Sequence, residues 1–216
     1  MAAAMRLSHD RYLDVSHGLA ADPEDEPPRI LRKPRDEGAS DSEKHGTWRL
    51  GATVLLPFAA GYFLSYLYRT INALIADTLV GEFGLSAADL GVLTAALFLT
   101  FGAIQLPLGA WLDRFGPRRV QAVLLSIAAV GAAVFAHAHT LVDLIVGRAL
   151  IGIGVAGALM AGLKALVLWW PAERIALANG WLITLGALGA VTATAPAEML
   201  IASIGWRGLF LLLAIL

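Results

Sequence analysis

Ionised and amide side chains beyond residue 48 are few and lie within or at the ends of long apolar runs, so each is a candidate for chemistry. Tyr62, Ser65, Tyr66, Arg69 and Asn72 recur at spacings of three and four. At 100° per residue they fall within an arc of about 120° on a helix. Such a stripe on a greasy helix should face protein or a water-filled cavity, and an arginine in it is a binding-site hypothesis by default. The planar fork of Arg69 suits a carboxylate or a phosphate. Arg69 also lies about 28 Å along a helix from Leu50, so snorkelling to an interface is the alternative.

Other polar groups stand singly. Gln105 is a lone amide deep in the second apolar run and a candidate cavity residue. Arg148, about one third of the way down the fourth run, is either a hydrogen-bonding hub or a coupling residue. Lys164, close to Trp169, either snorkels to the inner interface or meets substrate. Glu198 is either an interfacial acid or a proton carrier. His137 and His139 have no clustered acid or third histidine beside them, so no metal site is expected. The chain has no cysteine, which removes thiol catalysis and thiolate metal sites.

Residues 152 to 157 read GIGVAG, literally G-x-G-x-x-G, with Glu173 about twenty residues further on. A dinucleotide-binding turn needs a soluble strand-turn-helix unit, whereas this stretch sits inside one of several similar apolar runs. Read as helix, it places Gly154, Ala158 and Gly162 four apart on one face, where a neighbouring helix can approach closely. No G-x-S-x-G, H-E-x-x-H or P-loop is present. Neither a cofactor nor an enzymatic reaction is therefore expected.

Composition explains why these groups are so isolated. Of 216 residues 58% are hydrophobic and 15% charged, and mean hydropathy is +0.70; a soluble domain carries about 25% charged residues. The net charge of -1 gives no basic excess for a nucleic-acid partner. Residues 1–48 hold ten acids, seven Lys or Arg and four prolines with few large apolar groups, and are expected to be a disordered tail. Residues 49–216 are expected to form a helical membrane bundle.

Five apolar runs, 50–76, 87–112, 120–136, 141–170 and 175–204, approach or exceed the roughly 20 residues that cross a bilayer as helix. A sixth begins at Leu209 and reaches only Leu216, as a fragment ending inside a span would. Arg32, Lys33, Arg35, Lys44, Arg49, Arg114, Arg118, Arg119 and Arg174 flank one side and Arg207 the other, which places the N-terminus in the cytoplasm. On the outer side, SAAD (86–89) and TLVD (140–143) carry an N-cap hydroxyl with an acid three residues later, a helix-start signature.

The loop GAWLDRFGPRRV (109–120) interrupts two apolar runs with one acid and three arginines. Gly116 can end one helix in a left-handed turn and Pro117 can begin the next. Asp113 at a helix C-terminus opposes the local macrodipole, so a partner is expected: Arg114, Arg118, Arg119 or the N-terminus of another helix. Gly109, one turn earlier, would let that helix come close.

This loop resembles the signature between the second and third helices of the major facilitator superfamily, roughly G-x-x-x-D-R-x-G-x-R-R, with Gly109, Asp113, Arg114, Gly116 and Arg118 on matching positions and Pro117 departing from it. GRALIGIGVAGALM resembles the family's fourth-helix pattern, and WWPAERIALANG with GWRGLF resembles its fifth- and sixth-helix starts. YLYRTINALIA resembles the first helix of the anion:cation symporter branch, although Tyr68 and Val155 stand where members often have acids.

The resemblance implies an all-α membrane protein, the N-terminal six-helix bundle of a twelve-helix fold with its sixth helix truncated. It also implies a missing C-terminal transmembrane half as partner and symport or facilitated entry of a small organic solute, by the first-helix likeness an organic anion, through alternating access; a truncated membrane scaffold that does not transport is the alternative. Arg69, Tyr62, Tyr66, Asn72 and Gln105 would then serve the substrate, and the Asp113 loop would gate the cytoplasmic side. Residence in the bilayer is directly checkable: washing membranes at alkaline pH should leave the chain in the pellet, and release into the supernatant would contradict it.

Overall fold

The computed structural model of the chain describes residues 51–216, so the expected tail over residues 1–48 lies outside the described residues. Among the described residues there are helices and no strands. A π-helical turn, Gly51–Leu55, leads into α1, Leu56–Phe83. Pro57, which brings no N–H donor, stands at the junction of the π-helical turn and α1. Gly84, with φ 65° and ψ 32°, closes the helix by returning its N–H to the Val80 carbonyl. α1 thus outruns the expected end at Ala76, because no glycine or proline interrupts it before Gly84 except Gly81 within the helix.

Both expected helix starts are present as reciprocal capping boxes. Ser86 caps α2, Ala87–Phe115: its hydroxyl accepts from the Asp89 N–H at 3.2 Å, and Asp89 accepts from the Ser86 N–H at 2.8 Å. Thr140 and Asp143 do the same for α4, Leu141–Val155, at 3.2 and 2.9 Å. Each box satisfies two of the donors that a helix start leaves orphaned. Between these helices, α2 stops at Gly116 and Pro117 opens α3, Pro117–Ala136. Gly116 has φ 79° but ψ 157°, an extended rather than a left-handed helical turn, in a region essentially reserved for glycine.

Two expected spans prove to be interrupted. The fourth is divided at Ala156 and Gly157 into α4 and α5, Ala158–Trp169. The fifth, expected to run unbroken over 175–204, ends as α6, Ile175–Thr192, and resumes as α7, Ala195–Ile215, with Pro196 in its first turn. Gly205 (φ 73°, ψ 166°) is non-helical and separates two helical stretches within Ala195–Ile215, at the boundary expected between the fifth and sixth spans. Segments 87–115, 117–136, 141–169, 172–192 and 195–215 are long and apolar enough to cross a membrane. α1 is as long, but its tyrosines, Arg69, Asn72, Asp77 and Glu82 make it less apolar, so it does not join that set.

Packing relies on missing side chains. α3 lies along α4, α2 also packs on α4, α1 packs on α6, and α3 packs on α7. A Cβ on Gly131 of α3 would sit 2.7 Å from the Ile151 nitrogen of α4, and one on Gly147 would sit 2.8 Å from the Phe135 Cβ. Gly154 backs onto Ala128 of α3, Gly152 onto the Leu97 carbonyl of α2, and Gly162 onto Leu182 of α6. The expected single seam of Gly154, Ala158 and Gly162 is therefore corrected: Gly154 meets α3 and Gly162 meets α6. Small residues let these backbones meet where lipid offers no hydrophobic drive. In the apolar window of 141–169, 61% of residues are buried against 11% in α2, so α4 and α5 are central and α2 is peripheral.

Gly109 has nothing within 4 Å of an added Cβ, so no helix of this bundle uses the close approach expected there. The two glycines make a matched test. Gly154→Ala should cost about 1–3 kcal/mol through overpacking, and Gly109→Ala should be neutral or stabilising by up to about 1 kcal/mol. Thermal or detergent unfolding of the purified chain separates these outcomes, and equal melting temperatures would contradict the packing described.

Candidate functional site

Three cations lie on α1, α4 and α5, and the protein treats each differently. Arg148 of α4 is only 1% exposed. Its Nη1 donates to the Tyr68 carbonyl of α1 at 3.1 Å, its Nη2 donates to Asn72 Oδ1, and its guanidinium carbon stands 5.1 Å from the centre of the Phe135 ring. Its Nε is buried without a partner, and no carboxylate pairs with it among the described residues. A charge buried this way is held by dipoles and a ring face rather than by a counter-ion.

Asn72 is consequently engaged at both ends. While its oxygen accepts from Arg148, its amide donates to Thr94 Oγ1 of α2 at 3.1 Å, and Thr94 in turn donates to the Leu90 carbonyl at 3.0 Å. This chain ties α4, α1 and α2 together. The rest of the α1 stripe divides in the same manner. Tyr62 packs where Gly186 of α6 leaves room, and its hydroxyl lies 3.4 Å from that of Tyr66. Ser65 is buried and donates to the Val155 carbonyl of α4 at 3.2 Å.

Arg69 keeps an open side. It is half-buried, its Nε donates to the Ser65 carbonyl at 3.1 Å, and its guanidinium carbon lies 4.5 Å from the Tyr66 ring centre and 5.4 Å from that of Phe101 on α2. No acidic side chain pairs with it among the described residues. Two ring faces hold the guanidinium in place while leaving its donor edge suited to an anion.

The α4–α5 break is satisfied from both neighbours. Ser65 takes the Val155 carbonyl, and Gln105 of α2 takes the Ala156 carbonyl at 2.9 Å. Gln105, expected as a cavity residue, thus has a backbone partner as well as a place on a cavity wall. Irregular backbone at membrane depth needs such partners. The glycines of GIGVAG lie in or beside this broken helix, not in a strand-turn-helix unit, which removes the dinucleotide reading.

Asp113 pairs with Lys164 of α5, across 51 positions of sequence. The expected partners were the loop arginines or a helix terminus. Instead Arg114 stands over the Phe115 ring at 5.4 Å, and Arg118 is exposed beside a separate cavity with Gln121 and Trp169. Asp113 sits in the last turn of α2, whose face here looks along α5 rather than across its own loop. Gln105, Gly109, Asp113, Met160 and Lys164 line a cavity of about 430 Å³ between the two helices.

Several sequence candidates stay apart from this cluster. Glu198 is exposed in the first turn of α7. His137 turns a ring nitrogen to the Ala133 carbonyl at 2.9 Å, and the His139 N–H donates to Asp143 at 3.1 Å. No group of three or more metal-ligating side chains exists among the described residues. Sequence reasoning missed a clasp at the opposite end from Asp113. There Arg207 donates to Glu82 and, at 2.7 Å, to the Ala138 carbonyl, while Trp206 Nε1 donates to Glu82 at 2.9 Å. The acid near the end of α1 and the WR pair after Gly205 were its only signals.

The arrangement has relatives. The chain is 31% identical over 153 residues to a probable sulfoacetate transporter of Cupriavidus necator, covering 70% of this chain and 35% of that one. It is 28% identical over 165 residues to a probable L-galactonate transporter of Escherichia coli K12, covering 76% and 36%. A hexuronate transporter of the same organism is 29% identical over 165 residues, covering 76% and 37%. The chain therefore spans little more than a third of the length of these relatives. The family model described as Major Facilitator Superfamily matches residues 58–216, most of the helical bundle described above, and on that match the chain belongs to the Major Facilitator Superfamily.

Proposed function

We propose that this bundle is the N-terminal half of a secondary transporter that moves a small organic anion by alternating access against a second, C-terminal bundle. In this reading the Asp113 loop faces the cytoplasm, as does the N-terminus, and the cavity between the halves is bordered by α1, α2 and α4–α5. Substrates in such transporters sit near the midplane, where broken helices line the site. The interruption at Ala156 and Gly157, next to Ser65 and Gln105, supports that placement.

A single observation carries the choice of an anion. Of the three cations on α1, α4 and α5, Arg148 is occupied by Asn72 and the Tyr68 carbonyl, and Lys164 by Asp113. Of these three, Arg69 is the one with neither a carboxylate nor a side-chain amide on it among the described residues. Relatives named for sulfoacetate, galactonate and hexuronate transport share carboxylates or sulfonates of small size, which fits a planar fork between two rings. Tyr62 and Tyr66 would supply the polar wall beside it, with Arg148 and Asn72 as the brace that fixes α1 against α4. Proton coupling through Glu198 has no partner to support it among the described residues.

The latch role of Asp113 rests on how weakly it is held. Its side chain is 78% exposed and that of Lys164 26%, and an exposed pair contributes about 0–1 kcal/mol. Such a contact can be exchanged for one with the opposite bundle at little cost. Gly116 and Pro117 would keep α2 and α3 as a rigid hairpin, with Arg114 and Arg118 on its outer surface and Gly109 on the α5 side beside Asp113.

Uptake of labelled sulfoacetate and D-glucuronate into cells expressing the transporter that contains this bundle tests the reading. Losing one charge-assisted contact costs about 1.5–3 kcal/mol, so Arg69→Ala should weaken apparent affinity by about ten- to a hundredfold, with partial recovery in Arg69→Lys. Uptake unchanged by Arg69→Ala would refute the anion assignment. For the latch, Asp113→Asn should lower transport rate while leaving anion affinity within about twofold. An unchanged rate would remove Asp113 from the gate.

A further inference from the structure

The Arg69 site and the Asp113–Lys164 pair are joined by one row of side chains. On α2, Phe101, Gln105, Gly109 and Asp113 follow at intervals of four, covering about 18 Å of helix and winding through about 120°. The winding carries the row from α1 at its upper end to α5 at its lower end. Phe101 stands against Arg69, Gln105 reaches the α4–α5 break, and Asp113 meets Lys164. Gly109 leaves its position on this row empty, with nothing within 4 Å of an added Cβ. The cavity of about 430 Å³ occupies that gap and runs from Gln105 to Lys164.

We infer that Lys164 is a second anion station, reached from Arg69 along this row, where the carboxylate of the transported solute displaces Asp113 from the lysine and frees the latch acid. The inference rests on the anion reading of Arg69. Its chemistry is an exchange of like for like: Lys164 presents three donors on a flexible stem, and one carboxylate can replace another as their acceptor. Gln105 offers an amide on the way, and the missing side chain at Gly109 gives a small carboxylate the room it needs beside Lys164. Asp113, released from its cation, is then available to another positive partner. Arrival of the solute at the inner mouth and the change in the latch thereby become one event rather than two.

The absence of cysteine makes the path open to site-specific labelling. In proteoliposomes containing the transporter, the thiol introduced by Gly109→Cys should react readily with a permeant maleimide. Saturating sulfoacetate or D-glucuronate should slow that reaction by about fivefold or more. Adding Lys164→Gln should abolish the protection while equilibrium binding of the same probe, reduced by Arg69→Ala, persists; Lys164→Arg should restore protection. Probe binding with no protection at the introduced thiol, or protection that survives Lys164→Gln, would overturn the second station and leave the Arg69 reading intact. Failure of either probe to bind the parent would overturn both.

Discussion

A guanidinium or ammonium taken out of water must find its replacement partners within the protein, and this constraint organises the bundle. Arg148 is the extreme case. Its donors end on a helix carbonyl and on Asn72, and its remaining face meets Phe135. To bring those groups together, α4 must lie close to both α1 and α3. The glycines along α4 and α3 allow this, since a Cβ at Gly147 or Gly154 would collide with α3. Removing the arginine's partners would leave a buried charge uncompensated, which costs more than the contact itself contributes.

The same constraint extends to the backbone. At the turn between α4 and α5 the Val155 and Ala156 carbonyls accept hydrogen bonds from Ser65 of α1 and Gln105 of α2. A break that would be costly in lipid is thus tolerated because it lines a protein interior. Structure and proposed mechanism share one origin: polar groups on neighbouring helices are paired through contacts of graded strength. Arg148 is locked, Lys164 is held by an exposed acid, and Arg69 is steadied by rings, its own helix backbone and the Tyr62 hydroxyl.

How much of this the sequence revealed depended on range. The capping boxes at Ser86 and Thr140 were legible because a hydroxyl and an acid three residues apart contain the whole interaction. Gly116 and Pro117 were legible as a helix boundary for the same reason, although only the backbone angles showed the turn to be extended. The long contacts were not legible. Asp113 carried a clear need for a partner, but the lysine that meets it lies 51 residues away, beyond any local pattern. Arg207 was read only as an outer charge because Glu82 is 125 residues distant. The GIGVAG glycines were rightly placed in a helical packing role, yet a 3.6-residue period could not show that Gly154 and Gly162 meet different neighbours. The α1 stripe was correct as a row of polar residues, but periodicity alone could not show that Ser65 and Asn72 were already engaged.

In the proposed reading two arginines divide the labour: Arg148 braces the bundle and Arg69 takes the solute. Dipolar recoupling between a ¹³C-carboxylate on bound D-glucuronate and ¹⁵N-arginine in lipid bilayers reads it directly. A close carboxylate–guanidinium contact should disappear in Arg69→Lys and survive in Arg148→Lys. A contact that survives the first substitution, or one that vanishes only with the second while the bundle still melts cooperatively, would contradict it.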